Sequence, residues 1–434
     1  MTTYEKIIEV AESLEKDLIA TRRDLHKHAE TGWFEMRTSS IIARRLTDLG
    51  YEVLVGEDVC DRDARMGVPS EERLAKHYEL AKSWGADEEF LPYTKGGMTG
   101  VIGILRCGEG PTVALRFDID ALGVNESEEA DHAPYAGGYA SCNPGSMHAC
   151  GHDGHTSIGL GVAKVLMDIK EELHGTVKLI FQPAEEGVRG AKSIVEKGHL
   201  DSVDYLIGNH VSGRAADSNN QIVGGTYGSL ATCKYDVTFR GLAAHAGAHP
   251  HKGKNALLAA AAAVMNLYAI PRHGSGNSQI NVGTLHAGSG RNVIADEAFL
   301  ELEVRGVNTE VNRYMCQAAE RVLESCAQMY GCQLEIKLMG AAESLTSDQA
   351  LCELVGEAAK KVGLQVKPGM IQSFGSEDLS YMMNRVQGNG GQATFMRTLS
   401  YQPATAHNRK FDFGEELLVN GVKAFCASVY DIMK

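Results

Sequence analysis

The chain has 434 residues, 44% of them hydrophobic and 23% charged, a globular composition too long for one ordinary core. Its 42 basic and 56 acidic residues give a formal charge of −14, which argues against nucleic acid or an anionic membrane as partner, since both reward clustered Lys and Arg. A small anionic substrate held by one or two local arginines stays compatible with that balance.

Ile7, Ile8, Ala11, Leu14, Leu18 and Leu25 recur at helical spacing and predict a long amphipathic opening helix. These first residues are charged and helix-patterned rather than a basic stub before an apolar run, so no secretory signal is expected. A second helix, from about Thr38 to Leu49, is closed by Gly50. Residues 57–97 are polar and weakly patterned, with a helix expected over Glu71 to Ala86, and read as an insertion of unassigned role. Four β-rich runs follow, Val101 to Leu105, Thr112 to Phe117, Thr176 to Phe181 and Asp204 to Gly208, with a helix from Thr156 to Asp168. Alternating strands and helices predict an α/β fold: a mostly parallel sheet with helices on both faces.

From about Leu230 to Met339 the pattern becomes β-α-β-β-α-β, a ferredoxin-like α+β unit. Its strands are expected near Cys233 to Phe239, Gln279 to Leu285, Ala298 to Arg305 and Cys332 to Leu338, and its helices over Asn255 to Ala269 and Thr309 to Tyr330. Helices near Asp348 to Val362 and Glu415 to Met433 then return to the first domain. The expected organisation is a discontinuous catalytic domain, 1–229 and 340–434, with an inserted domain at 230–339. The most apolar stretch, Ala256 to Ile270, is too short to span a bilayer. None of the ten cysteines forms a C-x-x-C pair, so most are expected to be small buried residues in a reducing cytoplasm.

Cys150 is the exception. Met147 to His155 holds one thiol, three imidazoles and a carboxylate, with Gly151 and Gly154 letting the backbone bring donors together. A lone C-x-H pair would carry little weight; five metal-capable side chains in nine residues point to a divalent transition metal. Glu185 and Glu186 follow a predicted strand, where one carboxylate binds metal while its neighbour moves a proton. Alone they would be the acidic first turn of a helix. Asp118 and Asp120 follow another strand, one of them expected to buttress a ligand imidazole. His210 closes a third. Ligands of open α/β sheets bind beyond the carboxyl ends of strands, so all three strands aim chemistry at one edge. His245, in the loop Ala243 to Gly247, and Arg305, beside Glu301 and Glu303, have ordinary surface roles as their plain alternatives.

The run Arg116 to Leu122, the Cys150 to His155 segment, Gln182 to Glu186, Ala243-Ala244-His245 and Gly290 to Val293 together resemble the di-metal amidohydrolases of the aminoacylase and carboxypeptidase-G type. The likeness runs from the first helix to the last. The insertion, Ser141 to His148 and Thr405 to Phe413 resemble the branch acting on p-aminobenzoyl-glutamate. The resemblance implies Cys150, His152, Glu186, His210 and His407 as ligands of two divalent ions, Mn²⁺ or Zn²⁺, with Cys150 bridging. It also implies Glu185 as general base, Asp120 as buttress, His245 steadying the oxyanion, and Asn292 and Arg305 holding a substrate carboxylate. Ala295 stands where relatives commonly have proline.

The implied activity is hydrolysis of the amide of an N-acyl or N-aroyl amino acid, with p-aminobenzoyl-glutamate first and indole-acetyl-aspartate or general N-acyl amino acids as alternatives. The implied assembly is a homodimer through the inserted domain, or a heterodimer with a related chain. Two non-enzymatic alternatives stay open: a metal-stabilised subunit supporting a catalytic partner, and a protein whose metal is purely structural.

Overall fold

A computed structural model describes residues 1–213 and 221–434. In chain order the strands are β1 (Glu52–Val55), β2 (Val101–Arg106), β3 (Thr112–Asp118), β4 (Thr176–Gln182), β5 (Tyr205–Ser212), β6 (Gln221–Tyr227), β7 (Ala231–Arg240), β8 (Ser278–Ala287), β9 (Glu297–Gly306), β10 (Gln333–Ala342), β11 (Gln365–Gln372) and β12 (Gln392–Leu399). Contacts divide the chain into two compact units. The first is Met1–Tyr227, Leu345–Gln372 and Asp378–Lys434; the second is Gly228–Ser344 with Ser373–Glu377.

The first unit carries an eight-stranded sheet of order β1-β2-β4-β3-β5-β12-β6-β11. It is mostly parallel: β4 with β3, β3 with β5, β5 with β12 and β6 with β11, while β1–β2, β2–β4 and β12–β6 are antiparallel. Strand alternation sends Val113, Leu115 and Phe117 into one core with Val177, Leu179 and Phe181. Ala114 and Ile180 face the other way, into a second core with Leu206 and Phe395. Helices His152–Asp168 and Leu417–Met433 pack on the first face, and Ala191–Glu196 and Leu379–Gly388 on the second. Among the described residues no helix is long and apolar enough to cross a membrane.

The expected opening helix is two helices, Thr3–Ser13 and Glu15–Lys27, because Leu14 N–H reaches both Val10 and Ala11 carbonyls while Ser13 Oγ bonds Val10 O. Such back-bonding tightens and bends a helix. Strands β1, β6, β11 and β12 were not expected. β11 is obscured by Pro368-Gly369 and shifts register between Lys367 and Met370.

The second unit is a four-stranded antiparallel sheet of order β10-β7-β9-β8 backed by helices Ala256–Tyr268 and Thr309–Tyr330. Asn255 and Asn308 cap those helices through their side chains, and Gly331 (φ +66°) closes the longer one. Ala259, Ala260 and Ala263 on one helix and Ala318 and Ala319 on the other share the core with Phe239 and Leu300.

Candidate metal centre

β3, β4, β5 and β12 run parallel, so their carboxyl ends share one edge. Asp118 and Asp120 leave β3 there, Pro183 to Glu186 leave β4, and His210 sits two residues before the end of β5. Helix His152–Asp168 opens at the same edge with Gly151 (φ +92°) as its N-cap, so His152 and His155 belong to its first turn rather than preceding it. A Cβ on Gly151 would strike Val211. His407 also has a left-handed backbone (φ +69°), and its N–H bonds Ala149 O at 2.7 Å, tying the C-terminal loop to the Cys150 segment.

Donor atoms gather in overlapping groups, each with its atoms within 4.8 Å of one another: Cys150, His152 and His210; Cys150, Glu186 and His407; His152, Glu185 and Glu186. Cys150 Sγ lies 3.3 Å from His210 Nε2, and His407 Nε2 lies 3.6 Å from Glu186 Oε1. His210 Nδ1 donates to Val211 O at 2.6 Å, which leaves the Nε2 lone pair facing the thiol. His152 Nδ1 pairs with Asp120 Oδ1 at 3.2 Å and turns Nε2 inward. Both rings have the partner that a metal-binding histidine commonly has on its outer nitrogen. His152 Nε2 and Glu186 Oε1 are buried with no hydrogen-bond partner among the described residues. Orphaned buried polar atoms are rare, and here they line a nest of thiol, imidazole and carboxylate that fits a divalent cation.

The electrostatics agree. Burial opposes charge on His152, but Asp118, Asp120 and Cys150 outweigh it and hold the ring well above its ordinary range. Burial, reinforced by His155 and Arg397, holds His210 well below it. Burial pushes the Cys150 thiol up and Glu186 up to about 7. Without a cation, this cluster retains protons where an ion would sit.

Asp120 does more than orient His152. Its two oxygens accept Glu185 N–H at 3.1 Å and Glu186 N–H at 2.9 Å. Sequence reasoning passed over two neighbours of that turn. Glu35 accepts Ala184 N–H at 2.7 Å, and Arg189 Nε donates to Glu186 O at 2.8 Å while its NH1 reaches Gly67 O of the insertion. Neither carries a motif, and only the fold brings them to the turn.

The other motif residues go elsewhere. His155 Nε2 accepts Val211 N–H at 2.8 Å, so its proton sits on Nδ1 toward Asp118 and neither nitrogen is available to a metal. Asp153 turns away to Arg22 and His26, each at 2.8 Å. His148 is buried, is pushed down to about 4 by burial, and joins none of the donor groups.

In the second unit, His245 Nδ1 accepts Gly247 and Ala248 N–H groups, so in the neutral ring Nε2 is the donor. Ala246 N–H bonds Asn292 O and His245 bridges Val293, placing His245 and Asn292 side by side. Arg305 pairs with Glu303 at 3.0 Å, and its register partner is Thr232, near the start of β7. The His245 loop follows the far end of β7, where Arg240 faces Glu297. From Glu297 to Arg305 the strand runs roughly 27 Å, so within one chain Arg305 is not brought together with Asn292.

Comparison with known proteins gives the same picture. Residues 114–431 match the model of Peptidase family M20/M25/M40. The chain is 45% identical over 410 residues to indole-3-acetyl-aspartic acid hydrolase of Enterobacter agglomerans, covering 93% of this chain and 92% of that protein. It is 43% identical over 422 residues to one of the subunits of p-aminobenzoyl-glutamate hydrolase from Escherichia coli (strain K12), covering 96% of each. Among solved structures, an aminobenzoyl-glutamate utilization protein from Klebsiella pneumoniae superimposes with a TM-score of 0.83 at 38% identity over 98% of this chain and 97% of that one. A dinuclear metal-binding M20 peptidase from Bacillus subtilis gives 0.66 at 26% identity over 97% and 99%. With a family match over most of its length and relatives that are hydrolases, the chain belongs to the peptidase family M20/M25/M40 and is an amide-cleaving enzyme of that family.

Proposed function

We propose that the protein is a metal-dependent amidohydrolase that frees an amino acid from an N-acyl or N-aroyl conjugate, with p-aminobenzoyl-glutamate as first substrate. The observation carrying this reading is the convergence of Cys150, His152, Glu186, His210 and His407 beside Glu185, with His152 Nε2 and Glu186 Oε1 unpartnered. Indole-acetyl-aspartate is the second reading, favoured by the relative that is 45% identical.

The five residues would hold two divalent ions, Mn²⁺ or Zn²⁺, with Cys150 shared because it belongs to both a His152–His210 group and a Glu186–His407 group. Such a pair, when bound, supplies a reactive water at neutral pH and a Lewis acid for the carbonyl oxygen. Glu185 takes the proton of the attacking water and returns it to the leaving amine nitrogen. Asp120 fixes both the His152 ring and the backbone carrying Glu185. His245 donates from Nε2 to the developing oxyanion, and Asn292 and Arg305 bind substrate carboxylate. The substrate is much shorter than the strand separating Arg305 from His245 and Asn292. The reading therefore has these groups serve different substrate molecules, as in a homodimer formed through the second unit. One relative is itself one of several subunits of its hydrolase, which makes a heterodimer with a related chain the alternative. Reduced thiols, all ten cysteines being free, suit a cytoplasmic enzyme.

The test is Glu185→Gln in the full-length protein loaded with Mn²⁺. Hydrolysis of p-aminobenzoyl-glutamate is expected to fall by about 10²–10⁴ with metal content unchanged; near-normal turnover would remove Glu185 as the base.

A further inference from the structure

We propose that Glu35 is a positioning residue for hydrolysis: it locks the left-handed turn at Ala184 that aims Glu185 and Glu186 into the metal cluster. The inference rests on the roles just given to those two glutamates.

Three consecutive peptide N–H groups, those of Ala184, Glu185 and Glu186, point at carboxylate oxygens. Asp120 takes the second and third, and Glu35 Oε1 takes the first at 2.7 Å. The turn needs such support. Ala184 has φ +50° and Val188 φ +61°, conformations that residues bearing a Cβ adopt rarely and β-branched ones most rarely. Strain of this kind persists where the surroundings over-determine it. Within the turn, Val188 N–H reaches Glu185 O and Arg189 N–H reaches Ala184 O. These bonds close the loop without fixing its direction. Its orientation comes from outside, from Glu35 and Asp120 on the amide side and from Arg189 Nε on Glu186 O.

Glu35 itself is held. It is fully buried at the N-cap of helix Met36–Asp48, and its Oε2 accepts the Thr99 hydroxyl at 2.7 Å. It does not serve as that helix's side-chain cap, so its carboxyl is directed to the Ala184 turn and to Thr99. A carboxyl buried in this way costs stability unless its bonds are made. An amide of the same shape could still accept from Ala184 N–H and donate to Thr99 Oγ1, whereas an alkyl group could do neither.

The test compares Glu35→Gln, Glu35→Leu and Glu185→Gln in the full-length protein by thermal melting, Mn²⁺ calorimetry and p-aminobenzoyl-glutamate hydrolysis. Glu35→Gln is expected to stay within about threefold of wild type in kcat. Glu35→Leu is expected to lose about 10–100-fold in kcat, with KM within about threefold and Mn²⁺ affinity about tenfold weaker, as a misplaced functional group would give. If Glu35→Leu does not fold, Thr99→Val, which removes one anchor of the carboxyl, should show a smaller loss of kcat at unchanged KM. A folded Glu35→Leu with wild-type kcat and Mn²⁺ affinity would overturn the proposal, as would Glu35→Gln losing as much as Glu35→Leu. The fallback overturns it if folded Thr99→Val keeps wild-type kcat. Glu185→Gln separates the two claims: if it stays active, the assignment of the base fails, and if only it is inactive, the Glu35 proposal alone fails.

Discussion

His152 Nε2 stands 4.0 Å from Glu186 Oε1, both atoms buried and neither hydrogen-bonded among the described residues. The gap is too wide for a hydrogen bond, yet two ligand bonds of about 2.1 Å span it. A cation between them would satisfy both atoms at once. Glu186→Gln, which keeps the shape and removes the charge, should therefore lower the metal content of purified protein, measured by elemental analysis, below that of wild type. Equal metal content would show that the carboxylate is not a ligand.

The same pair sets a pH dependence. In the ion-free cluster burial pushes Glu186 up to about 7 and the Cys150 thiol above its ordinary value, so both hold protons that a cation must displace. Lowering pH below about 7 adds to that competition; raising it relieves Glu186 first and then, more gradually, the thiol. Apparent Mn²⁺ affinity should thus climb from pH 6 to pH 8, with proton release visible as buffer-dependent heats in calorimetry. A flat profile would be inconsistent with these ligands.

Asp120→Asn tests the hinge between ligand and turn. Asp120 gives one oxygen to His152 Nδ1 and Glu185 N–H and the other to Glu186 N–H, whereas asparagine presents an NH₂ to one side. Loss of such outer support costs about 10–100-fold in metal affinity or activity. Metal titration and kcat/KM should move together; an unchanged pair of values would make Asp120 a bystander.

Much of this was legible in the sequence, and the exceptions have physical causes. The donor cluster could be found because thiol, imidazole and carboxylate crowd into nine residues and because three strands end in such groups. Which imidazole does what could not be. His155 and His152 are equally metal-capable by type, and only the Val211 N–H on His155 Nε2 separates them. Glu35 and Arg189 were invisible because each acts through one backbone bond across a large sequence gap. β12 was missed although it is central, since no short-range pattern distinguishes Gln392–Leu399 from the helical segments around it. The separation of Arg305 from Asn292 is a property of strand direction, which composition and spacing do not encode.

Asp153 looked like part of the metal run and is instead the centre of a buried charge network. Arg22, wholly buried, reaches Asp153 at 2.8 Å and Asp412 at 2.6 Å, and His26 bridges Asp153 and Glu126. Arg22→Met would strand those carboxylates, and breaking a buried pair costs roughly 3–5 kcal/mol. Urea unfolding should show that loss; a change below about 1 kcal/mol would mean that the network contributes little. Burial alone would lower His26, but its bonds to Asp153 and Glu126 prevail and raise it to about 9. A folded-state pKa above the unfolded 6.5 stabilises fully below 6.5 and is lost as pH rises through about 9. The stability gap between wild type and His26→Gln should accordingly shrink over that window.

The separation of Arg305 from His245 and Asn292 along β9 yields a test of assembly. If each site takes Glu185 from one copy and His245 from another, two inactive variants can complement each other. A Glu185→Gln copy brings an intact His245, and a His245→Ala copy brings an intact Glu185. A hybrid of the two then contains one site with both groups and one with neither. Co-refolded or co-expressed mixtures should recover activity that neither variant shows alone, rising with the fraction of hybrid isolated through two different affinity tags. If His245 instead acts on the Glu185 of its own chain, every site in the mixture lacks one group and no recovery follows at any ratio. The outcome depends only on which copy supplies the imidazole, because both substitutions leave Cys150, His152, Glu186, His210 and His407 in place.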